Sequence, residues 1–498
     1  RSGRYTAYDF AYSSLKSLPK NDIFFVYGDN DTYPIWAIQE TEKFRSDVKV
    51  VNFTLLGTPW NIDQVKRKTY DAMPVPSMLN HEDYRDGTND QVVVLDADDW
   101  KNFIQNNVDA GVPEEVFASF KKYMVQDSMN IKDAVKFLKV KSPQKDAVLK
   151  LLFGEDKFER FNFLPVSKFV LPVNKANAVK SGIISAKDLP NTVNSITINY
   201  KKNNMFKADY ILMDILANFD WKRPINFSVG GIYDNQNIFF LNNYLQFDGF
   251  SYRLVPIKTE EREDGEMGRV DADDLYNIVK NYRWGNFKDL KVHFDETCTQ
   301  NIPSYRSSAS RAAEALILVG KKDKALEMLD IANREIPIEK YNDPRSLSSI
   351  VYGYIVAGQE QKGLKLAEQL KKDIFQEYDY YLSLDKKEQR YVKKQMATQP
   401  VLYSLVVGAV CDAYNKVGQK DKGYNYLVKS IDPIDKRFND FISSLKMLGK
   451  EKAYKEAENV RKVTPFYTYL FEIMKPYDST YPKEKESQIT TQIMQATE

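Results

Sequence analysis

Three polar side chains follow an apolar segment close to the start of the chain. In the stretch FFVYGDNDTYPIW, residues 24–36, the apolar run stops at a glycine, and Asp29, Asn30 and Asp31 come next. Ligands of an open α/β sheet bind beyond the carboxyl ends of its strands, which is where these residues are predicted to lie. Their oxygens suit sugar hydroxyls or a hard divalent cation such as calcium or magnesium.

A second acidic group follows the apolar segment QVVVL at 91–95 in the same way. It consists of Asp96, Asp98 and Asp99. If the two strands are close and parallel, both groups lie at the same edge of a sheet and converge on one hollow.

Both groups also have a structural interpretation, which we prefer. Asp, Asn and Thr are the usual helix N-caps, and carboxylates at that position gain from the helix dipole. Asp31 or Thr32 would then cap the helix that carries Trp36. Ligand contact ranks second and metal binding third, so no cofactor is assigned.

A tryptophan beside polar side chains marks another candidate site. Trp60 is followed by Asn61, Asp63 and Arg67 at the start of a predicted helix. An amphipathic indole can cover a sugar face while its neighbours bind the hydroxyls. The preferred alternative is that Trp60 anchors the core. Trp221 is likewise assigned an architectural role.

Several site classes lack their sequence signature. Cys298 and Cys411 form no C-x-x-C pair, and with only His81 and His293 a His-rich zinc site is excluded. The segment VGG at 229–231 lacks the spacing of a dinucleotide loop, and we find no P-loop, nucleophile elbow or H-E-x-x-H motif. Lys and Arg total 71 against 69 Asp and Glu, so the chain as a whole has no field that attracts nucleic acid or an anionic membrane.

The elements that position these residues divide into two regions. Strand-like segments alternate with helical ones up to residue 258, with a mainly helical insertion at about 98–153, which predicts an α/β domain with a mostly parallel sheet. The charged stretch within 259–302 reads as a linker and connecting segment. Residues 303–476 are predicted to be all-helical, followed by a tail at 477–498.

The helical region repeats a spacing. Gly320, Gly358 and Gly418 are each followed five residues later by a small residue: Ala325, Gly363 and Gly423. A glycine at the turn and a small residue where two helices touch are typical of tetratricopeptide-like pairs, although the copies lie 38 and 60 residues apart. The segment GKEKAYKEAENV from Gly449 is a candidate fourth copy.

The chain has no run of about 18 apolar residues, so we expect no membrane span. It begins without Met or a signal peptide, and we expect it to be a piece of a longer protein.

Five segments resemble a known family. In order they are SGRYTAYDFAYSSL, GDNDTYPIWAIQE, VKVVNFTLLGTPWNIDQVKRK, NFDWKRPINFSV and YLQFDGFSYRLVPI. They are similar to the soluble carboxyl-terminal half, a domain of unknown function, of a Bacteroidetes family of large inner-membrane proteins described as protein O-mannosyltransferase-like. The resemblance covers residues 1 to about 300.

The resemblance implies a membrane-embedded module ahead of Arg1 that uses a lipid-linked sugar, with this region in the periplasm, attached to the inner membrane. It also carries over six motif positions without roles: Asp29, Asn30, Asp31, Trp36, Trp60 and Asp63. With the second acidic group, the candidate ligand-binding residues are these six, Asp96 and Asp98.

Three functions follow as hypotheses. The first is a non-catalytic region of a glycosyltransferase-like protein, which binds a protein acceptor or partner through the helical repeats and holds a sugar or lipid-linked sugar in the α/β domain. The second is a cell-envelope interaction scaffold with no role in glycosyl transfer. The third, an α/β hydrolase or sugar-nucleotide enzyme, needs catalytic groups that no motif reveals. A nucleic-acid partner is not expected.

Overall fold

The computed structural model describes residues 3–231, 238–262, 265–447 and 450–497. The chain divides into two compact units, Arg1–Gly285 and Asn286–Glu498. The first unit combines strands with helices, and the second is all-helical. The predicted order of an α/β region followed by an all-α region is therefore confirmed.

Eleven strands occur in the described part of the first unit. In chain order they are β1 (Ile23–Val26), β2 (Lys49–Asn52), β3 (Gln91–Val94), β4 (Ser128–Asn130), β5 (Phe161–Leu164), β6 (Lys168–Pro172), β7 (Ser195–Asn199), β8 (Asn204–Phe206), β9 (Ile225–Ser228), β10 (Leu245–Phe247) and β11 (Ser251–Leu254). They form a five-stranded sheet in the order β10–β11–β9–β1–β2 and two three-stranded sheets, β5–β3–β8 and β4–β6–β7. Each sheet contains parallel and antiparallel pairs, so the sheets are mixed rather than mostly parallel.

The strand β1 is the centre of the large sheet. It pairs in parallel with β2 on one side and β9 on the other, and all four of its side chains are buried. A strand covered on both faces must be apolar throughout, which explains the sequence IFFV. Gly28, with φ +66°, then allows the chain to turn directly from β1 into a helix.

Nine helices connect and cover these strands in the described residues of the first unit. They are α1 (Thr6–Ser17), α2 (Gly28–Glu42), α3 (Pro59–Val65), α4 (Ala97–Asp109), α5 (Ile131–Lys139), α6 (Pro143–Phe153), α7 (Lys175–Lys180), α8 (Lys207–Asn218) and α9 (Ala272–Lys280). Leu15 of α1, Ile35 and Ile38 of α2 and Phe24 of β1 belong to one core cluster. The predicted helical insertion contains α4, α5, α6 and a 3-10 helix at Glu114–Met124, together with the short strand β4.

The segment predicted as a linker, 259–302, has regular structure in its described part. Arg269 exchanges backbone hydrogen bonds with Leu245 and Phe247 of β10, and Asp271 caps α9 by accepting from two backbone amides. Residues 263 and 264 of this segment lie outside the described residues. The boundary between the compact units falls at Gly285, inside the predicted linker.

The second unit consists of helices in its described residues. They are α10 (Glu296–Thr299), α11 (Ile302–Leu318), α12 (Lys322–Glu335), α13 (Pro344–Val356), α14 (Glu360–Ser383), α15 (Glu388–Tyr391), α16 (Lys393–Lys416), α17 (Lys420–Lys429), α18 (Asp432–Lys446), α19 (Lys450–Met474) and α20 (Tyr481–Thr497). The predicted tail is mostly α20. Gly449, the first residue of the candidate fourth copy, lies outside the described residues, and the segment that follows it belongs to α19.

Three helix pairs stack in this unit as the glycine spacing predicts. α11 packs on α12 and α13, α13 on α14 and α16, and α16 on α17. Gly320, Gly358 and Gly418, at the three turns, have φ values of +78°, +95° and +76°. Ala325 is fully buried, and a side chain at Gly363 or Gly423 would meet the preceding helix. The assignment to the tetratricopeptide class itself stays a prediction.

One helix in the described residues, α16, is long and apolar enough to cross a membrane by length and composition alone. It packs against α13, α14, α17 and α19, and half of its most apolar window is buried. These contacts are those of a core helix.

The buried carboxyl of Asp22 makes stability depend on pH. Asp22 precedes β1, is fully buried and accepts a hydrogen bond from Asn226 at 2.6 Å. Burial raises its pKa to about 7. The unfolded chain releases this proton near pH 4, so folding takes up a proton between about pH 4 and pH 7, and stability falls as pH rises through that window.

We therefore expect Asp22→Asn to match the wild type near pH 4 and to become more stable than it by up to about 4 kcal/mol above pH 7. Urea unfolding at several pH values measures this difference. A difference between the two proteins that stays constant with pH would show that folding does not shift the pKa of Asp22.

Gly363 tests the contact within the second helix pair. A Cβ there would lie 2.6 Å from Ile355 Cγ1 and 3.0 Å from the Val351 carbonyl oxygen, whereas at Gly408 of α16 the nearest atom is 3.6 Å away. We expect Gly363→Ala to destabilise the protein by about 1–3 kcal/mol. Gly408→Ala, the matched control, should be neutral or stabilising because alanine favours the helix. Equal thermal unfolding midpoints for the two variants would contradict this packing.

Candidate functional site

The first acidic group does not cap a helix. The helix α2 begins at Gly28, and its N-cap residue, Tyr27, makes no side-chain capping bond. Thr32 Oγ1 instead donates to the Gly28 carbonyl oxygen at 2.6 Å and accepts from Asn52 Nδ2 at 2.8 Å. The expectation that Asp31 or Thr32 caps this helix is wrong because the positive φ of Gly28 starts the helix three residues earlier.

Asp31 joins the carboxyl ends of β1 and β9. Its Oδ2 accepts a hydrogen bond from Ser228 Oγ at 2.6 Å, and a Cβ on Gly230 would lie within 2.8 Å of its carboxyl group. Burial raises the pKa of Asp31, although the bond from Ser228 opposes that shift. Asp29 and Asn30 are exposed, and within the described residues their side chains form no hydrogen bond.

The second acidic group lies in a different sheet. It follows β3, which pairs with β5 and β8 rather than with β1. Asp96 caps α4 by accepting from the Asp99 amide at 2.8 Å, and Asp98 is exposed in the first turn. The premise that the two groups follow neighbouring strands of one sheet is therefore wrong. Asp96 has the structural role that we preferred for it.

Asp63 faces away from the other candidate residues of its segment. It accepts hydrogen bonds from Tyr84 Oη at 2.6 Å and from His81 Nδ1 at 3.0 Å. Partial burial would raise its pKa, but these two bonds outweigh that effect and lower it. Asp63 thus connects α3 to the segment that follows it.

Two candidate residues, Trp36 and Trp60, do come together. Both line a cleft of about 350 Å³ beside β2, the edge strand of the large sheet, and we call it the aromatic cleft. Its walls are α2, β2, α3 and the turn after α3. It is lined by Trp36, Gln39, Glu40, Ser46, Val48, Lys49, Val50, Trp60, Asn61, Gln64, Val65, Thr69, Tyr70 and Ala72.

The aromatic rings of this cleft are accessible. Trp60 is 57% exposed and Tyr70 45% exposed, so the preferred interpretation of Trp60 as a core anchor is wrong. Trp36 is half-buried and packs against the core cluster of α1, α2 and β1. Gln39 and Glu40 share its helix face because they follow it by three and four residues. An indole that projects from the first turn of α3 at the sheet edge has no further layer to cover it.

Two buried polar side chains lie on the cleft wall. Asn61 is 2% exposed, and its Oδ1 has no hydrogen-bond partner. An unpaired buried acceptor costs about 1–3 kcal/mol, which a bound donor would recover. Lys49 donates to the Arg67 carbonyl oxygen at 2.8 Å and to Thr69 Oγ1 at 3.0 Å, and burial lowers its pKa to about 8.

The outer rim is held by Tyr70. Its hydroxyl donates to Glu40, and the Lys43 ammonium lies 3.8 Å from the centre of its ring. Tyr70 has φ +51°, a backbone conformation that is uncommon for a residue other than glycine. Gln64 is exposed, and no described residue binds its side chain. It is therefore available to a ligand.

Sequence reasoning missed Lys49, Gln64 and Tyr70. Lys49 lies in a strand whose sequence, KVVN, reads as core, and Tyr70 ends the segment NIDQVKRKTY at a point where a helix was expected. Only the chain reversal at Thr69 and Ala72, which exchange two backbone hydrogen bonds, brings Tyr70 to α2. Within the described residues, no group of three or more His, Cys, Asp or Glu side chains is placed to hold a metal ion.

Similarity to a known protein family is found in the first unit. Searches of curated proteins and of solved structures return no match. The family described as TMEM260-associated domain 2 matches residues 7–274, which include all eleven described strands and all walls of the aromatic cleft. The chain therefore belongs to the TMEM260-associated domain 2 family.

Proposed function

We propose that this chain is a non-catalytic, periplasmic region of a membrane-bound glycosyltransferase-like protein, and that its aromatic cleft binds a neutral sugar. In the full-length protein the catalytic module lies in the inner membrane ahead of Arg1. The family match, which ties the first unit to a TMEM260 protein, supports the association with such a membrane protein. The resemblance of the five segments to O-mannosyltransferase-like proteins supports a sugar as the ligand.

The main support for sugar binding is that Trp36 and Trp60 line the same cleft. The C–H face of a pyranose packs on an indole ring, and amide groups around the ring bind the hydroxyls. Asn61 and Gln64 supply those amides. The volume of about 350 Å³ lies at the lower end of the range for small-molecule sites, which favours one or two sugar rings.

The charges of the lining favour a neutral ligand. Among the described lining residues, Glu40 is the one carboxylate and Lys49 the one cation, and both already have hydrogen-bond partners. Glycoside hydrolysis commonly uses two carboxylates on either side of the scissile bond. A lining with a single, occupied carboxylate supports binding rather than hydrolysis at this cleft.

A second candidate function is an interaction scaffold in the cell envelope. It is favoured by the separation of the acidic residues, since Asp96 binds its own helix amide and Asp31 binds Ser228. A groove of about 1000 Å³ along the first turns of α11, α13 and α16 offers a surface for a protein acceptor or partner. This function does not require the aromatic cleft to hold a sugar.

Trp60→Ala tests the sugar-binding proposal. We expect neutral disaccharides, including a mannobiose, to quench the tryptophan fluorescence of the wild type, and Trp60→Ala to bind at least fivefold more weakly, a loss of about 1 kcal/mol. Tyr5→Ala is the matched control, because Tyr5 is 53% exposed and lies outside the cleft. Unchanged affinity in Trp60→Ala would show that the cleft does not bind the sugar. The interaction scaffold would then be the remaining candidate function.

The non-catalytic assignment has its own test. The isolated chain, incubated with polyprenyl-phosphate sugars and acceptor peptides, should transfer no sugar. Sugar transfer that is proportional to the concentration of the purified chain, and that persists in Trp60→Ala, would instead place a catalytic site within these residues.

A further inference from the structure

The second unit contains a pocket that neither the sequence motifs nor the proposed function uses. Its volume is about 880 Å³, and its walls are the end of α14, the turn into α15, the first turns of α16 and parts of α18 and α19. We call it the cationic pocket. It is lined by Tyr378, Leu382, Leu384, Asp385, Lys386, Gln389, Arg390, Lys393, Met396, Ala397, Pro400, Phe441, Lys462, Pro465 and Tyr469.

Four cations surround this pocket, and one carboxylate faces them. No ion pair with a described residue is formed by any of these cations, which are Lys386, Arg390, Lys393 and Lys462. The carboxylate, Asp385, accepts the backbone amides of Lys387 and Glu388 at 2.8 Å and is thereby turned into its own loop.

Other cations of the same unit do form ion pairs. Arg437 of α18 pairs with Asp379 at 2.7 Å, and Lys485 of α20 pairs with Asp435 at 2.8 Å. The chain as a whole is almost neutral, with 71 basic and 69 acidic residues. A local excess of three positive charges is therefore a property of the pocket and not of the composition.

The surface between the cations is apolar. Leu382, Leu384, Met396 and Phe441 are half-buried there, and the Tyr469 ring is 41% exposed. Pro400 and Pro465 add ring surfaces from within α16 and α19. Cations around an apolar floor match a ligand that is anionic at one end and a hydrocarbon at the other.

We propose that the cationic pocket binds an anionic phospholipid of a membrane surface. Its phosphate contacts Lys386, Arg390 and Lys393, while the start of an acyl chain covers Leu382, Leu384 and Met396. An acidic peptide or a free phosphate would satisfy the charges but would leave the apolar floor exposed. This proposal goes beyond the sugar-binding function and does not depend on it, because no residue is shared with the aromatic cleft.

Vesicle flotation with the full chain tests this proposal. Phosphatidylcholine vesicles that contain about one third phosphatidylglycerol should carry the wild type upward at about 0.1 M salt, where charges are screened beyond about 10 Å, and pure phosphatidylcholine vesicles should not. The triple variant Lys386→Glu, Arg390→Glu, Lys393→Glu should bind at least tenfold less, since each basic residue near an anionic surface contributes about 1 kcal/mol.

The matched control reverses three exposed lysines of the same unit that lie outside the pocket: Lys429→Glu, Lys436→Glu, Lys446→Glu. It should float like the wild type, and both variants should unfold at the wild-type temperature. An equal loss in the control, or unchanged flotation of the pocket variant, would overturn the proposal.

Competition separates the sources of the anion. Soluble dihexanoyl-phosphatidylglycerol should displace the chain from vesicles at concentrations where inorganic phosphate and a poly-glutamate peptide do not. Equal competition by phosphate or by the peptide would show that the pocket recognises charge alone, and would overturn the lipid assignment. Leu384→Asp, which introduces a carboxylate into the apolar floor, should weaken vesicle binding without removing a cation.

Discussion

The large sheet depends on one strand that water never reaches. β1 has parallel neighbours on both sides and apolar side chains on both faces, so none of its four residues can serve chemistry directly. Polar groups are therefore confined to its two ends. At the entrance, the carboxyl of Asp22, whose pKa burial raises to about 7, accepts from Asn226 of β9, which in turn accepts from Ser251 of β11. At the exit, Asp31 bonds to Ser228. Both carboxyls join adjacent strands rather than face a ligand.

The same constraint explains why the accessible site lies at the edge of the sheet. β2 has a neighbour on one side, and the helices α2 and α3 that flank it leave a gap instead of a closed layer. Aromatic rings reach that gap from the helices, because each helix must also bury an opposite face against the core. Trp36 does both, because it packs against the core cluster and also lines the cleft. The cleft is thus a consequence of how the sheet ends.

Sequence patterns predicted the positions of strands and helix turns, but they failed to predict which strands pair when those strands are far apart in the sequence. The apolar runs of β1, β2, β6, β7, β9 and β11, and the glycines at the helix turns, follow from rules on a few adjacent residues. Those rules do not say which strands pair, so the assignment of β3 to a separate sheet, and with it the separation of Asp96 from Asp31, could not be predicted. Trp60 shows the same limit. A tryptophan at a helix start reads as core unless one knows that the neighbouring strand is an edge.

Charge and apolar surface combine differently in the two compact units. The aromatic cleft has one cation and one carboxylate, each already hydrogen-bonded, so what remains for a ligand is ring surface and amide groups. The cationic pocket has the opposite arrangement, because its cations form no ion pair with any described residue and its apolar side chains lie between them. A neutral sugar gains little from unpaired cations, and a phosphate gains little from indole rings. The two sites therefore suit different ligands, and composition could not reveal this because the opposite charges cancel when they are summed over 498 residues.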